Sequence, residues 1–146
     1  MILNLEVRRF LDLEAFEHGL QVFSFRVWTR VAFQGPHHDW TPTLSALIDT
    51  GAPFCVLPKS VWLSAEVNVA FATTLRGLIP SRSAVLPARF GQVTCVISDL
   101  KNRAAPLKLW ALLAEGEVPL VLGCAGFLDR ARLMLDAPHL RASLEL

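Results

Sequence analysis

The amino-acid sequence predicts an all-β protein with one short helix near its C-terminal end. The first long strand is predicted over 21–33, which is rich in β-branched and aromatic residues. Its polar members Ser24, Arg26 and Arg30 fall on alternate positions, the period of an extended strand. Nine prolines are spread along the chain and separate further short apolar runs. These observations favour many short strands joined by turns.

The remaining elements follow in order from the same signals. Residues 58–63 predict a helical turn that begins at Pro58. The runs 70–78 and 85–97 predict a hairpin, because the segment 79–84 between them is rich in turn residues. Apolar residues at helical spacing predict a helix over 123–131. The other predicted strands are 43–49, 54–57, 107–114, 120–122, 132–136 and 140–146.

The N-terminal segment, 1–19, carries two competing patterns. Leu3 to Val7 alternates as a strand does, whereas Phe10, Leu13 and Phe16 fit one face of a helix. The segment is therefore an extra strand or a helix. With 146 residues and no repeat or linker, the rest of the chain, 20–146, is predicted to form one domain.

Composition excludes several classes of function. The chain has 14 Lys and Arg against 13 Asp and Glu, so it has no basic surface for nucleic acid. The longest apolar stretch, 118–128, is too short to span a bilayer, and Glu6 and Arg8 interrupt any signal peptide. Three cysteines without close pairing predict reduced thiols. We therefore expect a cytoplasmic protein with no membrane or nucleic-acid partner.

Several residue types have both a structural and a chemical interpretation. The large aromatic residues are predicted to fill the core; they are Trp28, Phe54, Trp62, Phe90, Trp110 and Phe127. Cys124 is predicted to be a small core residue, with a nucleophile as the alternative. His37, His38 and Asp39 are predicted to lie in a solvated loop, since adjacent histidines on an extended chain point apart. No metal and no cofactor are expected.

Asp49 is the carboxylate that most needs an explanation. It ends the apolar strand predicted over 43–49, and Gly51 follows two residues later. A buried carboxylate is costly, so such a residue either accepts local hydrogen bonds or takes part in chemistry. The structural interpretation is an Asx-type turn, in which Asp49 accepts from the N–H groups of Thr50 and Gly51. In that case the chain is an unrelated β-barrel or sandwich.

The wider pattern around Asp49 resembles the active-site signature of retropepsin-like aspartic proteases. Asp49-Thr50-Gly51-Ala52 is preceded by the apolar run 46–48 and followed by Val56-Leu57-Pro58. A second element of that family, aliphatic residues before a glycine, is matched by 120–122 and Gly123. The predicted hairpin lies between the two elements. The resemblance implies a closed β-barrel with a flap hairpin and a short helix.

The resemblance also implies an activity and roles for single residues. Asp49 is the catalytic carboxylate, and a homodimer supplies the second one for hydrolysis of a peptide or protein substrate. Thr50, Gly51 and Ala52 support the catalytic loop, and Val121, Leu122 and Gly123 pack beneath it. The flap over the bound peptide is formed by Gly77, Leu78, Ile79, Pro80, Ser81 and Arg82.

Departures from the family pattern leave a second function open. Pro53 and Cys124 stand where retroviral members carry an acidic residue and an arginine. Pro53 has no N–H to offer a substrate, and the flap tip has few glycines. Ala52 offers the carboxylate no hydroxyl, which predicts a less acidic pH optimum than that of pepsin. The alternative to an endopeptidase is a non-catalytic dimerisation or peptide-binding module of the same fold.

Overall fold

A computed structural model describes residues 1–76 and 85–146. Its described residues contain ten strands: β1 (Ile2–Leu11), β2 (Phe23–Phe33), β3 (Leu44–Ile48), β4 (Cys55–Leu57), β5 (Val67–Leu75), β6 (Leu86–Ser98), β7 (Leu107–Ala114), β8 (Val121–Leu122), β9 (Arg132–Asp136) and β10 (Arg141–Glu145). The helical elements are α1 (Leu13–Glu17), α2 (Lys59–Trp62) and a 3-10 turn (Leu128–Arg130). The predicted all-β class is confirmed.

The strands form one sheet in the order β5-β6-β7-β4-β8-β3-β2-β1-β10-β9. Strand β2 also pairs with β6, so the pairings of β2, β3, β8, β4, β7 and β6 return to their starting strand. The pairs β3–β8 and β4–β7 are parallel, and the other pairs are antiparallel. As a result, β8 lies between β3 and β4, the two strands on either side of Asp49.

The main core lies on one face of these strands. Alternate residues of β2, Val27, Thr29, Val31 and Phe33, are buried, as the period-2 pattern predicts. Val27, Val31 and Phe33 pack in a cluster with residues from β3, β4, β6 and β7 and with Phe127. Trp62 and Phe127 are buried, as predicted, and the Trp62 indole N–H donates to the Ala114 carbonyl over 2.7 Å. This core fixes the strands that carry the candidate site.

Both patterns found in the N-terminal segment occur in succession. Strand β1 pairs with β10 through its first half and with β2 through its second half. The chain then enters α1, where the Asp12 carboxylate caps the helix by accepting from the Ala15 N–H over 2.8 Å. The division of the chain between residues 19 and 20 stays a prediction. None of the described helices is long and apolar enough to cross a membrane.

The helix predicted over 123–131 is wrong in length and type. The segment forms turns followed by the short 3-10 turn, because Gly126 adopts a φ of 85° that an α-helix does not accommodate. A Cβ on Gly126 would lie 2.5 Å from the Lys108 carbonyl oxygen, so β7 packs directly against this backbone. The Asp129 carboxylate accepts from the Gly126 N–H over 3.0 Å and closes the turn.

The aromatic residues are also less buried than predicted. Trp110 is 39% exposed, and Trp28, Phe54 and Phe90 are half-buried. The Phe90 ring stacks on Trp110 with centroids 5.3 Å apart and on Phe71 at 4.9 Å. Stacking on neighbouring strands removes apolar area from water without placing these rings in the core. The alternation of side chains along β2, β6 and β7 explains the exposure of Trp28, Phe90 and Trp110, since these three side chains point away from the main core.

The predicted hairpin is formed by β5 and β6. The two strands pair antiparallel, from Val67 opposite Val93 to Leu75 opposite Leu86. The predicted connection, 79–84, and the flap residues Gly77 to Arg82 lie outside the described residues.

Candidate active site

Asp49 lies directly after β3, on the surface of the single chain. Its Oδ1 atom accepts a hydrogen bond from the Gly51 N–H over 2.8 Å, and its carbonyl oxygen accepts from the Ala52 N–H over 3.3 Å. A Cβ on Gly51 would lie 3.3 Å from Asp49 Oδ1, so a glycine favours this tight turn. Asp49, Thr50 and Gly51 are exposed, whereas Ala52 is partly buried. The carboxylate is therefore anchored on one side and open to solvent.

Backbone hydrogen bonds join the Asp49 turn and β3 to β8. The Asp49 N–H donates to the Leu122 carbonyl over 3.0 Å, and the Leu47 N–H donates to the Leu120 carbonyl over the same distance. Val121 and Leu122 are buried in β8. Since β8 also pairs with β4, its backbone joins the strand before Asp49 to the strand after it. The two sequence elements singled out by the resemblance are therefore in direct contact.

Gly123 is buried where the residues after β8 lie against the turn that follows Asp49. A Cβ at this position would lie 2.4 Å from the Phe54 carbonyl oxygen and 2.6 Å from that of Ala52. These oxygens belong to the backbone, which has little freedom to move away. Only a glycine fits here without displacing the turn that carries Asp49.

The residues after Gly123 continue the contact. The Cys124 N–H donates to the Ala52 carbonyl over 2.9 Å, and the Ala125 N–H donates to the Pro53 carbonyl over 3.0 Å. The Cys124 thiol lies 3.7 Å from the Thr50 carbonyl oxygen. The turn 49–53 is thus held by backbone hydrogen bonds from the segment 122–125.

A second apolar cluster connects the Asp49 turn to the hairpin. Its buried members are Val56, Leu75, Ala88, Ala114 and Val121. Ala52, Leu47 and Leu86 pack against them from partly buried positions. Leu75 and Leu86 are the last described pair of the two hairpin strands. The end of the hairpin next to its connection is therefore packed on the residues that surround Asp49.

An aromatic strip of Phe54, Phe71, Phe90 and Trp110 extends from the same region. The sequence analysis did not identify it as a surface feature. Phe54 follows the Asp49 turn, and its ring meets that of Phe90 edge-on at 4.9 Å. Phe71, Phe90 and Trp110 continue the strip across β5, β6 and β7. The sequence could have indicated this strip. Phe90, Trp110 and Phe71 are an even number of positions from Ala88, Ala114 and Leu75 of the second cluster, so each pair lies on the same face of its strand.

The thiols near the turn differ in their surroundings. Burial raises the pKa of Cys55 to about 11, although the thiol accepts a hydrogen bond from the Gly123 N–H over 3.4 Å. Burial also raises the pKa of Cys95. Both thiols are therefore neutral at pH 7 and act as small core residues, as predicted. Cys124 is partly exposed rather than buried, and the His139 ring contacts Asp136 instead of this thiol.

Two other potential sites lie elsewhere in the chain. The His38 ring contacts the Gln34 amide over 3.0 Å, and within 1–76 and 85–146 no three His, Cys, Asp or Glu side chains are grouped to hold a metal. A cavity of about 460 Å³ is lined by Asn4, Trp28, Thr29, Arg30, Asp99 and Leu100, among others. Asp49 does not line this cavity. In the single chain, Asp49 is exposed.

No protein-family model matches the chain, and no curated protein matches it. The chain is similar to a crystal structure of a retropepsin-like aspartic protease from Rickettsia conorii, with 12% sequence identity and a TM-score of 0.48. The match covers 96% of this chain and 92% of that chain. At this identity and TM-score the likeness does not assign the chain to a family.

Proposed function

We propose that the chain is an aspartic endopeptidase whose active site is completed by two copies of Asp49 in a homodimer. The observation that carries this proposal is the contact between the Asp49 turn and Gly123. Two separate sequence elements meet there, and Gly123 has no room for a side chain. Such a rigid support suits a turn whose carboxylate must keep a fixed position.

A second copy is required because one chain offers one carboxylate at this place. Asp49 Oδ1 accepts from Gly51, and among the described residues Oδ2 accepts no hydrogen bond. The open surface around Asp49 would become one wall of a cleft, and the second copy would supply the other. The closed barrel belongs to this proposal, and the circuit of pairings from β2 to β6 supports it.

The chemistry follows from two carboxyl groups held a few ångströms apart. Both cannot be ionised at once, so they share one proton. The ionised carboxylate accepts a proton from water as the water oxygen attacks the carbonyl carbon of the substrate. The protonated carboxyl donates its proton to the carbonyl oxygen. The carboxyl that took the proton from water then donates it to the amide nitrogen, and a hydroxyl of the tetrahedral intermediate returns a proton to the other carboxylate. The C–N bond breaks, and the acid and amine products form with the shared proton restored.

The neighbouring residues have positioning roles in this proposal. Thr50 would hydrogen-bond across the two-fold axis, and Gly51 would allow the backbone to approach the carboxylate and substrate. Ala52 contacts the second apolar cluster, which joins the turn to the hairpin. Residues 77–82 would cover the bound peptide as a flap and add main-chain hydrogen bonds, in the manner of an added strand.

A non-catalytic dimerisation or peptide-binding module is the second candidate, and Pro53 is the observation that favours it. Pro53 lies in the turn, is exposed and carries no N–H. A main-chain hydrogen bond from this position to a substrate therefore cannot form. The same surface would then hold an extended peptide without cutting it.

Cleavage of a diverse peptide library distinguishes the two candidates. We expect the purified protein to cut peptides at some point between about pH 3 and about pH 8, and Asp49→Asn to cut none. Binding of library peptides by both proteins, without cleavage by either, would support the module instead. Proteolysis that is equal in both proteins would contradict the role of Asp49.

A further inference from the structure

The cavity of about 460 Å³ lies where the strand next to β2 changes. Strand β1 pairs with β2 as far as Trp28, which is opposite Glu6. Strand β6 pairs with β2 from Arg30, which is opposite Ser98. Thr29 lies between the two pairings, so β1 and β6 separate at this position and leave room for the cavity. Its volume is within the range of small-molecule sites, about 300–1,000 Å³.

Two residues that line this cavity carry buried polar atoms without a hydrogen-bond partner. In the part of the chain that the structure describes, three buried side-chain atoms have no such partner, namely Trp28 Nε1, Thr29 Oγ1 and Glu115 Oε1. Glu115 Oε1 lies 3.2 Å from Arg89 Nε in an ion pair, which explains its position. The other two atoms belong to adjacent residues, and both residues line the cavity.

The missing partner of Trp28 is a hydrogen-bond acceptor. Buried polar groups are nearly always hydrogen-bonded, because burial has removed their contacts with water. Trp62 follows this rule, since its indole N–H donates to the Ala114 carbonyl over 2.7 Å. The Trp28 N–H can only donate, and the Thr29 hydroxyl, in a residue that is 4% exposed, can donate as well. A molecule bound in the cavity can supply the acceptors.

The charged residues that line the cavity favour an anion. Glu6 accepts from the Arg8 guanidinium over 2.7 and 3.1 Å, and Asp99 accepts from three backbone N–H groups. Arg30 and Lys101 also line the cavity, and neither forms an ion pair with a residue of 1–76 or 85–146. The two acids are therefore already engaged within the chain, whereas the two cations are available to a ligand.

Apolar side chains form the rest of the lining. Leu5 and the Trp28 indole contribute to it, and Leu100 is 87% exposed in the turn after β6. An apolar ring in the cavity would remove part of these side chains from water. An aromatic ring suits an indole in particular, because aromatic rings stack on one another.

We propose that this cavity binds a small aromatic carboxylate. The carboxylate accepts hydrogen bonds from the Trp28 N–H and the Thr29 hydroxyl, and Arg30 and Lys101 balance its charge. The ring packs against Trp28 and Leu100. This site goes beyond the proposed function, because Asp49 does not line the cavity and binding requires neither cleavage nor a second copy.

Titration with matched small molecules tests the class of ligand. We expect phenylacetate to bind the purified protein with a dissociation constant below about 1 mM in isothermal titration calorimetry. Phenylacetamide keeps the ring without the charge, and acetate keeps the charge without the ring. Each should bind at least about tenfold more weakly than phenylacetate. Equal affinity for phenylacetate and either of these molecules, or no binding of phenylacetate at about 10 mM, overturns the proposal.

The indole N–H signals of isotope-labelled protein in nuclear magnetic resonance test the location. The chain has four tryptophans, and Trp28→Phe identifies the signal of Trp28. We expect phenylacetate to shift this signal, since the N–H gains an acceptor. The signal of Trp62 should stay in place, because its N–H already donates to Ala114. Binding that shifts other tryptophan signals and leaves that of Trp28 unchanged overturns the proposal.

Substitutions in β2 separate binding from folding. Thr29→Val keeps a similar shape and removes a hydroxyl that has no partner among the described residues, so it should weaken phenylacetate binding about threefold or more without lowering the melting temperature. Arg30→Gln should weaken binding about tenfold, because a charged donor is lost. Arg26→Gln is the matched control, since Arg26 is exposed on the same face of β2 and does not line the cavity. Equal affinity of the Arg30→Gln and Arg26→Gln proteins, or wild-type affinity of the Thr29→Val protein, overturns the proposal.

Discussion

Two aspartates end two strands of the sheet, and their surroundings differ. Asp99 follows β6; its Oδ1 accepts from the N–H groups of Lys101 and Asn102 over 2.7 and 2.6 Å, and its Oδ2 accepts from the Asn4 N–H over 2.9 Å. Asp49 follows β3 and accepts from the Gly51 N–H alone among the described residues. Both are turn aspartates, but within residues 1–76 and 85–146 both oxygens of Asp99 accept backbone hydrogen bonds and one oxygen of Asp49 does.

The difference separates a structural aspartate from one that is available for chemistry. Hydrogen bonds from three backbone N–H groups favour the ionised form of Asp99 and lower its pKa to about 2. This carboxylate joins β1 to the turn after β6. Asp49 has one oxygen that accepts no hydrogen bond from the described residues, an exposed position and a backbone held by β8. The Asx-turn interpretation of Asp49 is thus compatible with a catalytic role.

Exchanging each carboxylate for an amide should give opposite results. We expect Asp49→Asn to lower cleavage by ~10²-fold or more, because the proton acceptor is lost, while the melting temperature stays near that of wild type. Asp99→Asn should retain cleavage and lower the melting temperature. Peptide cleavage and thermal unfolding of both variants are the measurements. Loss of cleavage in both variants, or in neither variant, would contradict the different roles assigned to Asp49 and Asp99.

Removing the support of Asp49 should reduce stability strongly. Gly123→Ala places a Cβ against the carbonyl oxygens of Phe54 and Ala52, so we expect a loss of about 1–3 kcal/mol in the free energy of unfolding. Gly116→Ala is the matched control, since its Cβ would meet only the Leu86 side chain at 3.3 Å. Urea unfolding of the two variants measures the effect. Equal losses would show that the backbone contact at Gly123 has no special importance.

The contribution of Asp99 to the stability of the folded chain should depend on pH. The pKa of Asp99 in the folded chain, about 2, lies below the ordinary value of 3.8. Its contribution to stability is therefore complete above about pH 4 and lost as the pH falls towards 2. We expect the gap in melting temperature between wild type and Asp99→Asn to narrow over this range. A gap that stays constant from pH 7 to pH 2 would contradict the assigned hydrogen bonds.

The smallest expected effect concerns Ala52. Ala52→Ser adds a hydroxyl beside the Asp49 turn, and a hydroxyl that donates to a carboxylate favours its ionised form. The acidic limb of the cleavage profile should therefore move to lower pH. The pH dependence of kcat/KM for wild type and variant measures the shift. A shift to higher pH would contradict the assigned donor.

The sequence was most informative where local patterns decide the structure. Alternation of residues predicted β2, and turn residues predicted the hairpin of β5 and β6, because both signals act over a few neighbouring positions. The helix over 123–131 failed since its apolar spacing gave no sign that Gly126 packs against Lys108 of β7. The N-terminal segment stayed ambiguous because β1 gains its partners, β2 and β10, from distant parts of the chain.

The same contrast between local patterns and distant contacts applies to Asp49 and Asp99. Asp49 was singled out because its neighbours in sequence form a motif, and the motif residues are neighbours in space. Asp99 was missed because one of its hydrogen-bond donors, Asn4, is 95 residues away. The support of Asp49 by Gly123 was implied by the resemblance to the protease family. The hydrogen bonds that join them are set by the placement of β8 between β3 and β4.

The central claim is that each active site uses one Asp49 from each of two copies. The most direct test adds Asp49→Asn protein to a fixed concentration of wild type and follows cleavage of one good peptide. If the site is shared, wild-type chains are drawn into inactive mixed dimers, and cleavage falls to about half at equal concentrations and further with excess variant. Cleavage that stays constant at every ratio would contradict the shared site.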